Sequence, residues 1–311
     1  MDKIICIAGP TASGKTALAV ALAKAVDGEV VSCDSMQIYK KMDIGTAKPT
    51  LEEMAGIPHH MLSVAEPDED FSVSRYCEMA TPIVEDILHR GKTAIIAGGT
   101  GLYMDALIRG NSFAPYPSTG RRQELEQLAA KEGIEAVLCK LKEVDPESAA
   151  RLHPSDQKRI IRAMEVYLET GVTITDHNRK TQEIPPRFSP VWFALEDENR
   201  QTLYDRIDRR VLQMLDHGLI AEIEALLASG VPEKATAMQA IGYKEFVDYL
   251  QGRSSLEDAT ALVQQASRHY AKRQLTWFRR NQNIHWLRRA AGETTDEILF
   301  KAKQNLTDFD N

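Results

Sequence analysis

Residues Gly9-Pro10-Thr11-Ala12-Ser13-Gly14-Lys15-Thr16 fit the pattern G-x-x-x-x-G-K-[ST], and both flanks suit it. The apolar run Lys3–Ala8 before it predicts a strand, and Ala17–Lys24 after it is rich in strong helix formers. Glycines let the backbone curl so that successive N–H groups face one anion, and the helix N-terminus adds partial positive charge. Lys15 supplies a point charge and the Thr16 hydroxyl can ligate magnesium. Such a loop reads a di- or triphosphate but not what the phosphate is attached to. ATP is its default ligand on general grounds.

The strand–loop–helix order continues. Glu29–Asp34 reads as a second strand with Asp34 at its end, Ser72–Arg90 as a helix capped by Ser72 or Ser74, and Lys92–Ala97 as a third strand leading into Gly98-Gly99-Thr100-Gly101. Helices between short apolar strands predict an α/β fold, with a parallel sheet covered on both faces. Ligands of such sheets bind beyond the carboxyl ends of the strands. The loops 9–16, 34–37 and 98–101 are therefore expected to converge on one crevice.

Composition then shifts. Phe113–Gly120 and Thr181–Pro190 are rich in turn formers and read as linkers. Between them lie charged helical patterns without a convincing strand, and Val191–Leu195 reads as a strand that returns to the sheet. The expected division is a core segment 1–112, a helical insertion 113–187 and a second core segment 188–311, mostly helical after 203.

The four cysteines lie far apart with no C-x-x-C pair, against a zinc site or a disulfide framework. No apolar run approaches membrane-spanning length. A net charge of −7 gives no hint of nucleic acid, but from Ala259 to Gly292 there is no Asp or Glu. That stretch holds Arg268, Lys272, Arg273, Arg279, Arg280, Arg288 and Arg289. A one-signed segment in an acidic chain suggests a polyanion-binding face, or a basic helix side paired with acids elsewhere.

Each candidate residue has two readings. Asp34 can ligate metal, act as a general base, or cap a turn. Thr100, between glycines that allow close approach to a ligand, can donate to a phosphate or a reacting atom, or sit in a tight turn. Arg206 and Arg210, four apart, share one helix face opposite the stripe Leu203, Ile207, Val211 and Met214. They can hold phosphate oxygens bidentately, or pair with Asp205 and Asp208. Lys158, Arg159 and Arg162 begin a helix that Gly171 closes, as a second basic patch or as ordinary surface cations. His59-His60 is too isolated for a metal site and reads as turn or packing histidines.

Together the motifs resemble the tRNA dimethylallyltransferase family. The blocks are Gly9–Thr16, Asp34-Ser35-Met36-Gln37 through Pro49, Gly98–Tyr103, Lys158-Arg159-Ile160-Ile161-Arg162, Ala240–Glu245 and Tyr270–Arg279, in the family order. Lys41, Ser267 and His269 depart from residues common there. The resemblance implies transfer of the allylic group of dimethylallyl diphosphate to N6 of adenosine 37 in the tRNA anticodon stem-loop. It implies catalytic Asp34, Thr100 and Arg210, with Asp34 as base and Thr100 orienting the amine or the bridging oxygen. Residues 9–16 would hold the donor diphosphate, with Mg2+ on Thr16. The tRNA would be held by Asp34, Ser35, Met36, Gln37, Thr100, residues 158–162, Gly242, Tyr243, Lys272 and Arg273. A cytoplasmic monomer without membrane contact is expected. A small-molecule kinase using ATP on the same loop, an adenylate prenyltransferase and a nucleotide-dependent RNA-binding switch are the rival readings.

Overall fold

The apolar run at the start of the chain forms β1 (Asp2–Ala8), whose inner residues are fully buried. In this computed structural model residues 2–110 and 119–306 are described. The chain divides into two compact units, Met1–Gly110 with Arg187–Asn311, and Asn111–Pro186. Residues 113–118 of the first expected linker lie outside the described residues.

In the first unit, α1 (Lys15–Ala25) starts directly after Gly14, which takes a left-handed φ of 89°. β2 (Gly28–Ser32), the short α2 (Leu51–Met54) and the two-residue β3 (His59–His60) follow. Then come α3 (Val73–His89), β4 (Thr93–Ala97) and α4 (Gly101–Arg109). Ser72 caps α3, its hydroxyl accepting the Arg75 amide at 3.2 Å.

The second unit is helical: α5 (Arg121–Glu132), α6 (Ile134–Val144), α7 (Pro146–Arg151), α8 (Gln157–Thr170) and α9 (Ile174–Glu183). Leu125, Val137, Leu141, Ile160, Ile161 and Met164 form its core. Buried Asp145 is satisfied by the Ser148 amide and by both the amide and hydroxyl of Thr175.

The chain returns through β5 (Phe188–Asp197), then α10 (Arg200–Asp216), α11 (Leu219–Ala228), α12 (Tyr243–Leu250), α13 (Leu256–Phe278), β6 (Ile284–Arg289) and α14 (Thr295–Leu306). One expectation needs correction here. The stretch 181–190 is not all linker: α9 runs to Glu183, and strand pairing with β1 begins at Phe188. Within the mostly helical region after 203, residues 284–289 form an edge strand beside β5, which the sequence did not bring out. Its alternation of buried Ile284 and Leu287 with exposed neighbours is imperfect, which hid it among the arginines.

The sheet order is β3-β2-β4-β1-β5-β6, and every pair is parallel. Strand residues alternate between faces. Ile5, Ile7, Val30, Ile95, Phe193 and Leu195 pack with Leu18 and Leu22 of α1 and Ile298 of α14. On the other face Tyr76 of α3 stacks against Tyr103 of α4 at 4.7 Å and donates to the Ser32 carbonyl at 2.9 Å. All strands run the same way, so the loops after β1, β2 and β4 open together beyond the carboxyl ends of the strands.

Candidate active site

The 9–16 loop joins β1 to α1. Lys15 Nζ donates to the Pro10 carbonyl at 2.7 Å, and the Ser13 hydroxyl is buried without a partner. Ala12 takes a left-handed φ of 59°, and its carbonyl accepts from Arg206 Nε at 2.9 Å.

Asp34 lies two residues beyond the end of β2. Pairing continues only through Cys33, whose amide donates to the Ala97 carbonyl at 2.8 Å. The chain then turns, with Asp34 Oδ1 accepting the Met36 amide at 2.9 Å. Gln37 ties this turn to the 46–47 segment, donating to the Thr46 and Ala47 carbonyls.

Two cavities open here. The larger, of about 710 Å³, is walled by residues 11–17, Gln37, Asp43, Lys48, Arg209 and Gln274. The smaller, of about 290 Å³, is walled by Ser35, Met36, Ile207, Val211, Ile241, Gly242, Val263 and Arg273. Thr11, Asp34, Thr46, Arg210, Met214 and Tyr270 line both. The larger cavity holds the loop and the cations Lys15, Lys48 and Arg209; its neighbour is walled by the aliphatic side chains of Ile207, Val211, Ile241 and Val263; Asp34 and Arg210 stand at the junction.

Arg206 and Arg210 of α10 have opposite fates. Arg206 makes two bonds to Asp197, at 2.9 and 2.5 Å, besides the one to Ala12, and so braces the loop. Arg210 has no ion pair with a described residue and keeps its surface in the cavities. Burial lowers its pKa, while Asp34 and Glu53 partly offset this. Burial likewise lowers Lys15 to about 8, against the pull of Asp34 and with a smaller push from Arg210. Two cations lining one cavity, each with its charged form disfavoured, are suited to an anion that enters it.

Several expected roles move. Thr100 lines neither cavity. Its hydroxyl accepts the Ser35 amide at 3.0 Å, and its amide donates to the Cys33 carbonyl, so it holds the turn after Asp34 from behind. The glycines around it admit protein. A Cβ on Gly98 would fall 2.0 Å from the Cys33 carbonyl, and one on Gly101 would fall 2.2 Å from Trp277. Ile160 and Ile161 are core residues, 0% and 7% exposed, so their side chains cannot touch RNA. Tyr243 is fully buried and donates to Glu222 Oε1. Gly9 and Pro10 lie outside the larger cavity's wall, and Pro10 faces a separate hollow.

The basic patches are smaller than their sequences suggest. Arg159 pairs with Asp156 and Arg162 with Glu165, both on or beside α8, and Lys158 is exposed with no acidic partner among the described residues. In the acid-free segment Arg268 pairs with Asp208, and Arg279 and Arg288 with Glu196. Lys272 and Arg273 stay exposed and make no ion pair among the described residues, with Arg273 over the Tyr270 ring. His60 pairs with buried Glu29, and His59 contacts the Ile57 carbonyl, so both are packing histidines. Among the described residues no cluster of three His, Cys, Asp or Glu could hold a metal, and no helix is long and apolar enough to cross a membrane.

Sequence reasoning assigned no role to Tyr270, Gln274 and Trp277. Their i, i+4, i+7 spacing on α13 was the available signal. Glu222 carried none, because three of its four partners are backbone amides far away in sequence.

The sequence profile described as IPP transferase matches residues 37–281. The tRNA dimethylallyltransferase of Acetivibrio thermocellus is 44% identical over 310 residues, covering 99% of each chain. A crystal structure of tRNA delta(2)-isopentenylpyrophosphate transferase from Staphylococcus epidermidis aligns with a TM-score of 0.73 at 40% identity, over 99% of this chain and 100% of that one. A eukaryotic dimethylallyltransferase acting on tRNA aligns with a TM-score of 0.84 at 29% identity, over 100% of this chain and 80% of that one. Matched across most of its length by the profile and end to end by these relatives, the chain belongs to the tRNA dimethylallyltransferase (IPP transferase) family.

Proposed function

We propose that the chain transfers a dimethylallyl group from dimethylallyl diphosphate to the exocyclic N6 of adenosine 37 in tRNA. The observation that carries this reading is the junction: a cavity lined by Lys15, Lys48 and Arg209 meets one walled by Ile207, Val211, Ile241 and Val263 at Asp34 and Arg210. A donor with an anionic head and an apolar tail, and an acceptor base, need such a pair of compartments.

N6 is a weak nucleophile because its lone pair is delocalised into the ring. In the transfer N6 bonds to the allylic carbon, the carbon–oxygen bond breaks, and diphosphate leaves with the bonding pair. Asp34 takes the N6 proton, a role worth roughly 10²–10⁴-fold. Lys15 and Arg210 neutralise charge on the departing diphosphate. Thr16 is the residue that would hold a magnesium ion, which when bound supplies further neutralisation of the diphosphate oxygens. The donor set fits, since magnesium takes one or two protein oxygens together with phosphates and water. Thr100 acts through Ser35 by fixing the turn that carries Asp34. An adenosine must leave its stack to reach the junction, as in other base-modifying enzymes.

The test is incubation with labelled dimethylallyl diphosphate, Mg2+ and tRNA, beside AMP as acceptor and ATP as donor. Label is expected at N6 of adenosine 37, and Asp34→Asn is expected to cut kcat by about 100-fold or more with tRNA affinity retained. Label in AMP alone, or phosphate transfer from ATP, overturns the reading.

A further inference from the structure

We infer that Gln274 is a positioning residue that sets the spacing between the 9–16 loop and the turn at Thr100. The inference rests on the proposed transfer and adds to it the part that registers donor against acceptor. Gln274 lies on α13 and is 5% exposed. Its Oε1 accepts the Thr11 amide at 2.8 Å, and its Nε2 donates to the Gly99 carbonyl at 3.0 Å. Only one orientation of the amide satisfies both partners, since one is a donor and the other an acceptor.

The approach is close on both sides. A Cβ on Gly99 would fall 2.0 Å from Nε2, so a side chain there would push the Gln274 amide off its bond to the Gly99 carbonyl. The neighbours on the same helix face strengthen the clamp. Trp277 Nε1 donates to Asp105 Oδ2 at 2.9 Å and its ring packs on Gly101, while Tyr270 lines both cavities. One helix stripe thus grips the loop after β1 and the loop after β4. Thr11 stands in the wall of both cavities, and Thr100 follows Gly99 and holds the Asp34 turn. Sliding one loop against the other separates the leaving group from the base, and a displacement of about 1 Å in a reacting pair costs about 100-fold in rate.

The chemistry of the bridge limits its substitutes. Gln274→Met removes both bonds. Gln274→Glu keeps the size, but its carboxylate can only accept, so it holds Thr11 and repels the Gly99 carbonyl. A protonated glutamic acid offers one donor and one acceptor and restores the amide's pattern.

The experiment compares wild type, Gln274→Met and Gln274→Glu with saturating tRNA and dimethylallyl diphosphate, together with tRNA affinity and thermal unfolding. Both variants are expected to lose about tenfold or more in kcat while tRNA affinity stays near wild type. The ratio of Gln274→Glu to wild-type kcat is expected to climb as pH falls from about 8 to about 6, because burial raises the new carboxyl's pKa. Lys15, Asp34 and Arg210 on the cavity wall, Tyr270 one turn away and Asp105 beside Trp277 are common to both proteins, so the ratio isolates the bridge. A kcat within about twofold of wild type in a folded variant, or a flat ratio across that range, overturns the inference. If Gln274→Met does not fold, Gln274→Glu decides. If wild type transfers no prenyl group, the proposed function falls instead, and affinity for inorganic pyrophosphate decides the bridge. Gln274→Met weakens that affinity if the amide holds Thr11 in place, and an unchanged affinity overturns the role.

Discussion

The Tyr243 hydroxyl donates to Glu222 Oε1 at 2.6 Å, and the same carboxylate collects three successive backbone amides across the fold. Asp43 and Ile44 donate to Oε2 at 2.7 and 2.8 Å, and Gly45 donates to Oε1 at 3.1 Å. Glu222 therefore anchors the 43–47 segment, which Gln37 holds from its other side and which walls both cavities.

Glu222→Gln places an amide NH2 against backbone donors and is expected to destabilise the fold by about 2–4 kcal/mol, measured by urea unfolding. Tyr243→Phe removes one of four bonds and leaves no donor stranded, so about 1 kcal/mol is expected. Equal costs for the two would mean that the single bond from the Tyr243 hydroxyl, not the backbone amides gathered by the carboxylate, holds the segment.

Arg206→Ala and Arg210→Ala should part company. Arg206→Ala strands Asp197, whose side chain is 4% exposed, and is expected to cost about 3–5 kcal/mol of stability. Arg210→Ala is expected to leave the unfolding midpoint nearly unchanged and to lower kcat strongly, with Arg210→Lys rescuing only part because the planar fork is gone. Thermal unfolding and single-turnover rates on the same samples separate the two effects.

Lys15 reports on its anion through its proton. Its pKa is held down at about 8 chiefly by burial. Because the folded value lies below the usual lysine value, the unfolded chain binds more protons from about pH 8 upward. Stability from this group therefore rises with pH through that window, and its cost is fully present below it. An entering diphosphate favours the charged amine. Pyrophosphate binding at about pH 8.5 is thus expected to take up a fraction of a proton, read by calorimetry in buffers of different ionisation enthalpy. Lys15→Met should abolish the uptake, and equal uptake in that variant would assign it to another group.

RNA affinity should rest on fewer cations than the sequence blocks contain. Lys272→Ala/Arg273→Ala is expected to lower the log–log salt slope of tRNA binding by about 0.7–0.9 for each phosphate that is no longer neutralised. Lys158→Ala should act the same way on a smaller scale. Arg159→Ala and Arg162→Ala should change the slope little, because each arginine is already paired with Asp156 or Glu165. Slopes identical to wild type for the first two variants would return those residues to ordinary surface roles.

Local periodicity, glycine placement and contiguous motifs were enough to read the strand–loop–helix order, the parallel sheet, the loops beyond its carboxyl ends and the family from the chain. The sequence brought Lys15, Asp34 and Arg210 forward as candidates on the same grounds. Helix periodicity alone could not tell Arg206 from Arg210, since both sit on one helix face; only the family resemblance singled out Arg210. Only the tertiary structure supplies Asp197 and the Ala12 carbonyl to one and an open cavity to the other. Nor could the sequence show that Thr100 stands behind the cavity wall, that Ile160 and Ile161 are core, or that Gln274 and Glu222 bind backbone groups more than 170 residues away in sequence. A side chain's role in each of these cases depends on which polar group the fold places within about 3 Å of it, and such long-range pairings leave no periodicity in the chain.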